Sequence, residues 1–366
     1  MISSAVVPSE EQHLLPCFPD DVSLQIICRL PLSTHPWLAL ISRTFRNLIH
    51  HSSLIFSVRS HLDISRRYPI LTLRTPSSEY MCRYILLDSE STSSITIPSP
   101  PVATIGSACV ALGPFFIVLG GSVNQIPTSK VQIFDFRVRT WNPGPRMGTS
   151  RQFPAVGIMD GSRKVYVLGG CSPLSESWAE VMDFESTEKK WEVLPSPKSL
   201  RKRWILGNAV LDGKILAVVD RGGVVFDPAM GSWGAMKHEL EFKWRGRAVA
   251  VEGILYAYDS LGTIRGYNVK TDKWMEVEGL KEVPKFLAGA TLTDIGERRL
   301  LAIWEWNENR KRKNLTRPTT IRVGLVEIDL VICDDGRLTG SVCRLESIHL
   351  PVPSRSTIAK CVAVEL

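Results

Sequence analysis

The sequence predicts a mostly β protein in which a β-propeller of about six sheets follows a small α-helical domain. Three observations predict this fold: strands that end in paired glycines recur along the chain, tryptophans follow them at similar spacing, and a short helical pattern precedes the first repeat. A chain of 366 residues also exceeds the usual size of one hydrophobic core. We therefore expect one large and one small domain.

The composition excludes several classes of protein. Hydrophobic residues make up 44% of the chain and charged residues 22%, which is typical of a globular protein and not of a disordered one. The formal net charge is +7, and such an excess would suit an anionic partner only if the basic residues were clustered. They are mostly scattered, so no nucleic-acid partner is expected.

The cysteines and the amino terminus indicate the cellular compartment. The chain has eight cysteines and no C-x-x-C pair, which predicts reduced thiols and neither a disulfide framework nor a zinc site. The first residues, MISSAVVPSEEQ, contain no basic segment followed by an apolar one, and Gly and Pro interrupt the longest apolar run at 108–121. We expect a cytoplasmic protein, a nuclear protein or both, with no membrane partner and no metal or other cofactor.

Two patterns alternate in the large domain. Apolar strands end in paired glycines at 117–121, at 166–170 and, more loosely, at 217–223. The second pattern is an apolar residue, an Asp or Asn and then a tryptophan, and its tryptophans are 50, 42 and 41 residues apart. Those tryptophans are Trp141, Trp191, Trp233 and Trp274. The spacing suits one four-stranded propeller blade per repeat.

Each pattern has a physical reason. Paired glycines allow positive φ angles and a close approach of neighbouring strands, where a Cβ atom would clash. A tryptophan offers a large apolar face to pack between adjacent sheets, and its indole N–H is expected to donate to a nearby backbone carbonyl.

The blade count comes from the outer strand pairs. They begin at 84–97, continue through the tryptophan-bearing pairs and end at 324–350, which makes about six blades. The last strand, TIAKCVAVEL, has no hairpin after it, so we expect it to close the ring by completing the sheet begun at 84–97. The propeller is therefore assigned to 84–366. Five and seven blades stay open as alternatives, because a degenerate repeat is easily miscounted.

The small domain is predicted as three helices at 14–59, between a flexible segment at 1–13 and a linker at 60–83. Asp20 can cap a first helix whose apolar residues form one stripe, and Pro31 ends that helix. Two further helices are predicted at 35–41 and from Ser42 onward. A unit of this size buries little surface, so apolar side chains are expected to be left for a partner.

The small domain resembles an F-box. The landmarks are Phe18-Pro19, the two aspartates that follow, an isoleucine-containing helix, Leu30-Pro31 and the run SRTFRNL. Phe18 and Phe45 occupy places where Leu and Trp are commoner in that family.

The large domain resembles kelch repeats. The order of strand, double glycine, aromatic-Asp and tryptophan carries this resemblance over 84–366. The fourth repeat departs from it by keeping only Gly262, and the fifth has Trp304-Glu305-Trp306 where glycines would stand.

An F-box followed by kelch repeats is similar to the plant F-box/kelch-repeat proteins of the Skp-interacting-partner type. The resemblance implies a substrate receptor of an SCF-type ubiquitin ligase. The F-box would hold a Skp-family adaptor and through it a cullin, and the propeller would present a protein target of unknown identity. Such a receptor acts by proximity, so no catalytic residue and no enzyme activity of its own are expected.

The adaptor-binding residues that we assign lie on the first two helices. They are Phe18, Pro19, Asp21, Val22, Ile26, Leu30, Leu38, Leu40 and Ile41. The alternative interpretation is that about half of the aliphatic residues only fill the core of the helical domain.

The target-binding residues that we assign lie where one repeat leads into the next. They are Arg151, Arg201, Arg203, Trp204 and Arg245. A basic set with one aromatic residue suits an acidic or phosphorylated target. The alternative is that these arginines are solvated loop charges or form ion pairs between blades.

Two other functions stay open. A kelch scaffold outside ubiquitin transfer would share every feature of the propeller. An enzyme is the more distant alternative, because no sialidase-type Asp box, S-x-D-x-G-x-x-W, occurs. Most histidines precede the repeats, and only His238 and His349 lie within them.

Overall fold

The structure is a computed structural model that describes residues 14–51, 53–76, 82–88, 93–175, 177–200, 203–220, 222–244, 247–259, 261–285, 290–306, 320–353 and 355–366. The chain forms two compact units. The helical unit comprises Met1–Ser65, Arg137–Arg139 and Leu366, and the propeller comprises Arg66–Phe136 and Thr140–Glu365. The segment at 1–13, which we expected to be flexible, lies outside the described residues.

The described part of the helical unit contains four α-helices, one more than the three that we predicted. They are α1 Asp20–Cys28, α2 His35–Ile41, α3 Arg43–His51 and α4 Leu54–His61, with a 3-10 turn at Leu32–Thr34. Ser42 separates α2 from α3, and its Oγ accepts a hydrogen bond of 3.1 Å from the Phe45 amide. This contact caps the amino terminus of α3.

The core of the helical unit explains why the fourth helix is needed. Ile55 on α4 is buried against Ile27 and Cys28 of α1 and against residues of α2 and α3. The buried Arg59, also on α4, donates a hydrogen bond of 2.6 Å to the Cys28 carbonyl. Because that carbonyl lies at the end of α1, where helix carbonyls lack partners, α4 completes both the core and the end of α1.

The strands of the propeller follow in chain order. They are β1 Arg67–Arg74, β2 Cys82–Asp88, β3 Ser93–Ile97, β4 Ala108–Leu112, β5 Phe115–Leu119, β6 Ser122–Val123, β7 Ile126–Pro127, β8 Val131–Asp135, β9 Thr140–Gly144, β10 Ala155–Ile158, β11 Lys164–Leu168, β12 Ala179–Asp183, β13 Trp191–Leu194, β14 Ile205–Leu211, β15 Lys214–Val219, β16 Gly223–Asp227, β17 Ser232–Ala235, β18 Ala248–Val251, β19 Ile254–Tyr258, β20 Ile264–Asn268, β21 Lys273–Glu278, β22 Thr291–Asp294, β23 Arg299–Glu305, β24 Ile321–Ile332, β25 Leu338–Leu350 and β26 Thr357–Glu365. A short helix, α5 His238–Lys243, lies between β17 and β18.

The described strands form four separate four-stranded sheets, one eight-stranded sheet and one small hairpin. The four-stranded sheets have the orders β26-β1-β2-β3, β4-β5-β8-β9, β10-β11-β12-β13 and β14-β15-β16-β17. The innermost strands β26, β4, β10, β14, β18 and β22 contact one another in a closed circle. Apolar side chains of adjacent sheets pack together between them, as in the cluster that joins β10–β13 to β14–β17.

The structure corrects the prediction of about six separate blades, because the last two repeats share one sheet. Strands β18–β21 and β22–β25 belong to one eight-stranded sheet, in which β21 pairs with β25 in parallel at Val277↔Leu338 and Glu278↔Thr339. The glycines next to this pairing make the close approach possible, since a Cβ atom on Gly279 would lie 2.4 Å from the Gly340 carbonyl oxygen. The fifth outer hairpin is also long, with strands of 12 and 13 residues.

The carboxyl-terminal strand completes the first sheet, as we predicted. β26 pairs with β1 along its length, from Arg67↔Glu365 to Arg74↔Thr357. The predicted linker at 60–83 is corrected by the same pairing, because its residues Arg67–Arg74 form β1 inside the propeller. Pro69 lies within β1, and a proline inside an apolar run argues against a strand, so the local pattern did not separate β1 from a linker.

The tryptophans have the role that the repeat pattern predicts. Each indole N–H donates to a backbone carbonyl of the preceding sheet or of the segment that follows it. The acceptors are the carbonyls of Pro98 for Trp141, Pro145 for Trp191, Pro195 for Trp233 and Glu239 for Trp274, at 2.6–3.0 Å. These bonds link successive repeats through the outer strands.

Candidate functional site

The helical unit exposes large apolar side chains on its first two helices. Val22 and Ile26 lie one turn apart on the outside of α1, while Ile27 points into the core. On α2 the most exposed residue is Trp37, at 72%, and it shares a face with Leu40 and Ile41, each at 68%. We call the following set the apolar face of the helical unit. It consists of Phe18, Val22, Ile26, Trp37, Leu40, Ile41 and Leu54.

The residues assigned to the adaptor are accessible to different extents. Phe18, Pro19, Asp21, Val22, Ile26, Leu40 and Ile41 are exposed. Leu30 and Leu38 are half-buried, and Leu38 packs against the core of the unit. The core-filling alternative therefore holds in part for Leu38, and the other positions leave side-chain surface available to a partner.

Sequence reasoning missed two residues of the apolar face, Trp37 and Leu54. Trp37 stands at i, i+3 and i+4 spacing with Leu40 and Ile41, so the helical period of α2 could have identified it. Leu54 begins α4, a helix that was not predicted.

The structure corrects the assignment of Arg151 to a target-binding surface. Its side chain is fully buried, and its guanidinium donates to the carbonyls of Gly169 and Trp178 at 2.7 and 2.8 Å. It also forms an ion pair of 2.7 Å with Glu180, whose carboxylate accepts from the Gly148 and Thr149 amides. Arg151 therefore forms a buried ion pair within the second repeat, and the ion pair between blades of the alternative interpretation is not what the structure shows for it.

Of the other four residues assigned to the target, the structure describes two, Arg203 and Trp204. Trp204 is 70% exposed, and its backbone exchanges hydrogen bonds with Asp220. The neighbouring Arg203 lies 3.9 Å from the Asp220 carboxylate and keeps part of its side chain exposed. Arg201 and Arg245 lie outside the described residues, so their assignment stays a prediction.

Two further exposed apolar side chains lie just before β10 and within β14. Phe153 is exposed although its backbone has φ +53°, a conformation that costs energy for a bulky residue. Leu206 is exposed at an irregularity of strand β14, where the register shifts between Ile205 and Gly207. Such bulges often redirect a side chain at a functional surface.

Gly169 and Gly170 connect these positions. A Cβ atom on Gly170 would lie 2.9 Å from the Pro154 nitrogen, and one on Gly169 would lie 2.6 Å from Ile205 Cδ1. The double glycine therefore brings the segment that leads into β10 next to the one that leads into β14. We call the exposed side chains around it the junction patch. It consists of Phe153, Leu174, Trp204 and Leu206.

The four side chains of the junction patch are 44–92% exposed. Groups of exposed large apolar side chains often mark interaction sites.

The inner strands of the propeller enclose a channel of about 840 Å³. Its walls are mostly small apolar residues of the inner strands, and the turns that follow those strands form one mouth. Among the described residues, no group of three or more His, Cys, Asp or Glu side chains is arranged to hold a metal ion. None of the described helices combines the length and apolar character required to cross a membrane.

The domain composition agrees with comparisons to known families. An F-box domain model matches residues 15–57, and a model of the FKB95 kelch-repeats domain matches residues 72–348. The second match begins within β1, in agreement with the place of that strand in the propeller.

Curated plant proteins are similar to the chain over most of its length. F-box/kelch-repeat protein At4g19870 of Arabidopsis thaliana is 27% identical over 407 residues, which cover 100% of this chain and 96% of the relative. F-box/kelch-repeat protein At4g39240 is 28% identical and covers 98% of this chain and 92% of the relative. Putative F-box/kelch-repeat protein At4g34170 is 30% identical and covers 78% and 90%. The chain belongs to the F-box/kelch-repeat family.

Proposed function

We propose that this chain is the substrate receptor of an SCF-type ubiquitin ligase, in which the helical unit binds a Skp-family adaptor and the propeller binds a protein target. The observation that carries the proposal is the apolar face on a unit whose own core is already formed by other residues. Large apolar side chains that do not contribute to the core are typical of a protein-protein interface.

The mechanism is proximity. The adaptor would connect the receptor to a cullin, and the propeller would hold the target, so that lysines of the target lie near the ubiquitin thioester. Holding two reactants together replaces a bimolecular encounter by an effectively intramolecular one. In this proposal the receptor contributes binding surfaces and no catalytic residue.

Adaptor capture tests the first half of the proposal. The full chain is expected to copurify with a recombinant Skp-family adaptor, and the double substitution Phe18→Ala and Pro19→Ala is expected to abolish the capture. The matched control is Ile332→Ala, which removes a side chain of the same fractional exposure as Phe18 from the propeller. Equal capture by the double variant and the control would overturn the assignment of these two residues.

Reconstitution tests the second half. A complex of the chain with the adaptor, a cullin and the ubiquitin-conjugating machinery is expected to transfer ubiquitin to proteins that the propeller captures. Adaptor binding without ubiquitin transfer to any captured protein would favour the scaffold alternative.

We propose that the target binds at the junction patch and at Arg203. The patch supplies apolar surface, and Arg203 supplies a charge that suits an acidic or phosphorylated segment. Within the described part of the chain, the Arg203 guanidinium makes a long contact of 3.9 Å to Asp220, so a target carboxylate or phosphate can compete for it. The variant Trp204→Ala with Leu206→Ala is expected to lose captured proteins and to keep the adaptor. An unchanged set of captured proteins would place the target elsewhere.

We also propose that the protein acts in the cytoplasm, the nucleus or both. All eight cysteines are free thiols, which suits a reducing compartment. Imaging of the full chain fused to a fluorescent protein tests this proposal.

A further inference from the structure

The channel of the propeller contains a half-buried cation for which the described residues supply no counter-ion. Lys360 lies on the inner strand β26 and lines the channel, and its ammonium donates one hydrogen bond of 3.1 Å, to the Cys109 carbonyl. Among the described residues, no carboxylate oxygen lies within 4.0 Å of this ammonium. Charges with limited access to water are usually paired in proteins, so Lys360 needs an explanation.

A purely structural role explains the hydrogen bond but not the charge. The inner strands have one edge that faces the channel, and side chains satisfy some of their edge carbonyls. Asn208 does so as a neutral amide, by donating 2.7 Å to the Val156 carbonyl. A neutral side chain could serve Cys109 in the same way, so the positive charge of Lys360 is not required for the packing of the ring.

The thiols beside Lys360 do not neutralise it. Burial raises the pKa of Cys109 to about 11 and the pKa of Cys361 to about 12, so both thiols are protonated at neutral pH. Among the described residues, the Cys109 carbonyl is the acceptor for one of the three ammonium hydrogens of Lys360, and the other two have none. Burial lowers the pKa of Lys360 itself, as expected for a cation that lacks an anionic partner.

The mouth of the channel has the opposite charge. Four carboxylates at this end have no ion pair within the described part of the chain, whereas Asp294 and Glu297 are paired with Arg67 and Arg299. The four are Asp160, Asp212, Glu252 and Glu365. Arg298 also lines the mouth, so carboxylates outnumber cations there.

The two charged regions lie about 17 Å apart along β26, because five residues separate Lys360 from Glu365 and a strand rises about 3.3 Å per residue. We infer that the channel is a ligand site for a zwitterionic molecule of the amino-acid or short-peptide type. The carboxylate of the ligand pairs with Lys360, and its cationic group lies among the carboxylates of the mouth. The ligand is either a free molecule or the end of a protein chain, since both offer this chemistry.

Binding of alanine oligopeptides to the full-length chain tests the inference. Peptides of two to six alanines with free ends are expected to bind with an optimum near five residues, which span about 17 Å when extended. Amidation of the carboxyl end is expected to weaken binding at least tenfold, because it removes the charge-assisted hydrogen bond to Lys360. Acetylation of the amino end is expected to weaken it less, since water screens charges at the mouth.

Substitutions test whether Lys360 causes the preference for peptides with a free carboxyl end. Lys360→Met is expected to bind the free-acid and amidated peptides equally, while Lys360→Arg keeps a preference for the free acid. The matched control is Lys190→Met, which removes an exposed lysine outside the channel and is expected to leave binding unchanged. Asp212→Asn with Glu252→Gln is expected to abolish the effect of acetylation only.

A separate experiment distinguishes a free small molecule from the end of a protein chain as the source of the ligand. A carrier protein that ends in Arg followed by four alanines is expected to bind if the site takes protein chain ends, and only the free peptides bind if the site takes small molecules. Equal binding of free-acid and amidated peptides to the wild-type chain, or binding of no peptide, would overturn the inference. These measurements use no adaptor, so they can fail or succeed independently of adaptor capture.

Discussion

The helical unit and the propeller differ in what they leave exposed. The helical unit buries seven apolar residues in its core and exposes a comparable set on α1 and α2. In the propeller, apolar clusters pack between adjacent sheets, and even the charged pair Arg151–Glu180 is enclosed. A short chain has too little interior for all its apolar residues, whereas a ring of sheets gives each sheet two neighbours. Large apolar side chains are therefore available to a partner in the helical unit, whereas in the propeller they mainly form the core between sheets.

The largest expected effect concerns the enclosed ion pair. Arg151→Met removes a hydrogen-bond donor from the carbonyls of Gly169 and Trp178 and leaves the buried Glu180 carboxylate without its cation, so we expect the free energy of unfolding of the propeller to fall by about 3–5 kcal/mol. Thermal unfolding of the purified chain measures this loss. The control is Arg163→Met, which breaks an exposed pair with Glu185 at 3.5 Å and should cost at most about 1 kcal/mol. Similar costs for the two variants would contradict the enclosed role of Arg151.

The second prediction concerns the apolar face of the helical unit. Trp37→Ala with Leu40→Ala should weaken adaptor binding by about two orders of magnitude, since aromatic residues on an interface commonly contribute about 2 kcal/mol or more. The temperature of unfolding should change little, because neither side chain belongs to the core. Binding by calorimetry and unfolding by circular dichroism test both parts. A fall in stability with unchanged adaptor affinity would show that the apolar face is structural.

The third prediction concerns the links between sheets. Trp233→Phe keeps an aromatic ring beside Phe226 and Trp178 but removes the hydrogen bond of 2.6 Å to the Pro195 carbonyl. We expect a loss of about 1 kcal/mol in the free energy of unfolding by denaturant titration. Trp204→Phe, which changes an exposed indole, is the control and should have no measurable effect on stability.

The smallest effect concerns a buried carboxyl group of the fifth repeat, that of Glu327. Burial raises the pKa of Glu327, and Arg344 opposes the shift only in part. Because the folded state binds this proton more tightly than the unfolded state, Glu327 should contribute a gain in stability as the pH falls through its raised pKa. Glu327→Gln should remove that contribution, as seen in denaturant titrations from pH 7 to pH 4. The exposed Glu297→Gln is the control, and identical pH profiles for the wild type and E327Q would refute the prediction.

Much of the fold could be predicted from local pattern. The tryptophan spacing predicted the repeated sheets, and the unpaired strand TIAKCVAVEL predicted closure of the ring through β26. The prediction was wrong where pairing depends on distant residues. Nothing local in Leu338 and Thr339 shows that they join β21, and nothing local in Arg67–Arg74 shows that the strand pairs with the carboxyl terminus.

The candidate sites were predictable to a smaller extent. The F-box landmarks located the apolar face but not Trp37, although its helical spacing was visible. Arg151 and Arg203 have similar positions in their repeats, and only the first is buried. Sequence position could not separate them, because burial depends on whether a carboxylate such as Glu180 faces the guanidinium from another strand.

The sequence by itself determined the two-domain order, the repeated β architecture and the family of this protein, because glycine pairs, tryptophans and helix-stop prolines act over short distances along the chain. Only the tertiary structure decided which charges are neutralised. Lys360 is far in sequence from Asp160, Asp212 and Glu252 of the channel mouth, and these residues share one cavity because the inner strands close into a circle. Electrostatic interactions depend on distance and burial in space, which the order of residues does not specify.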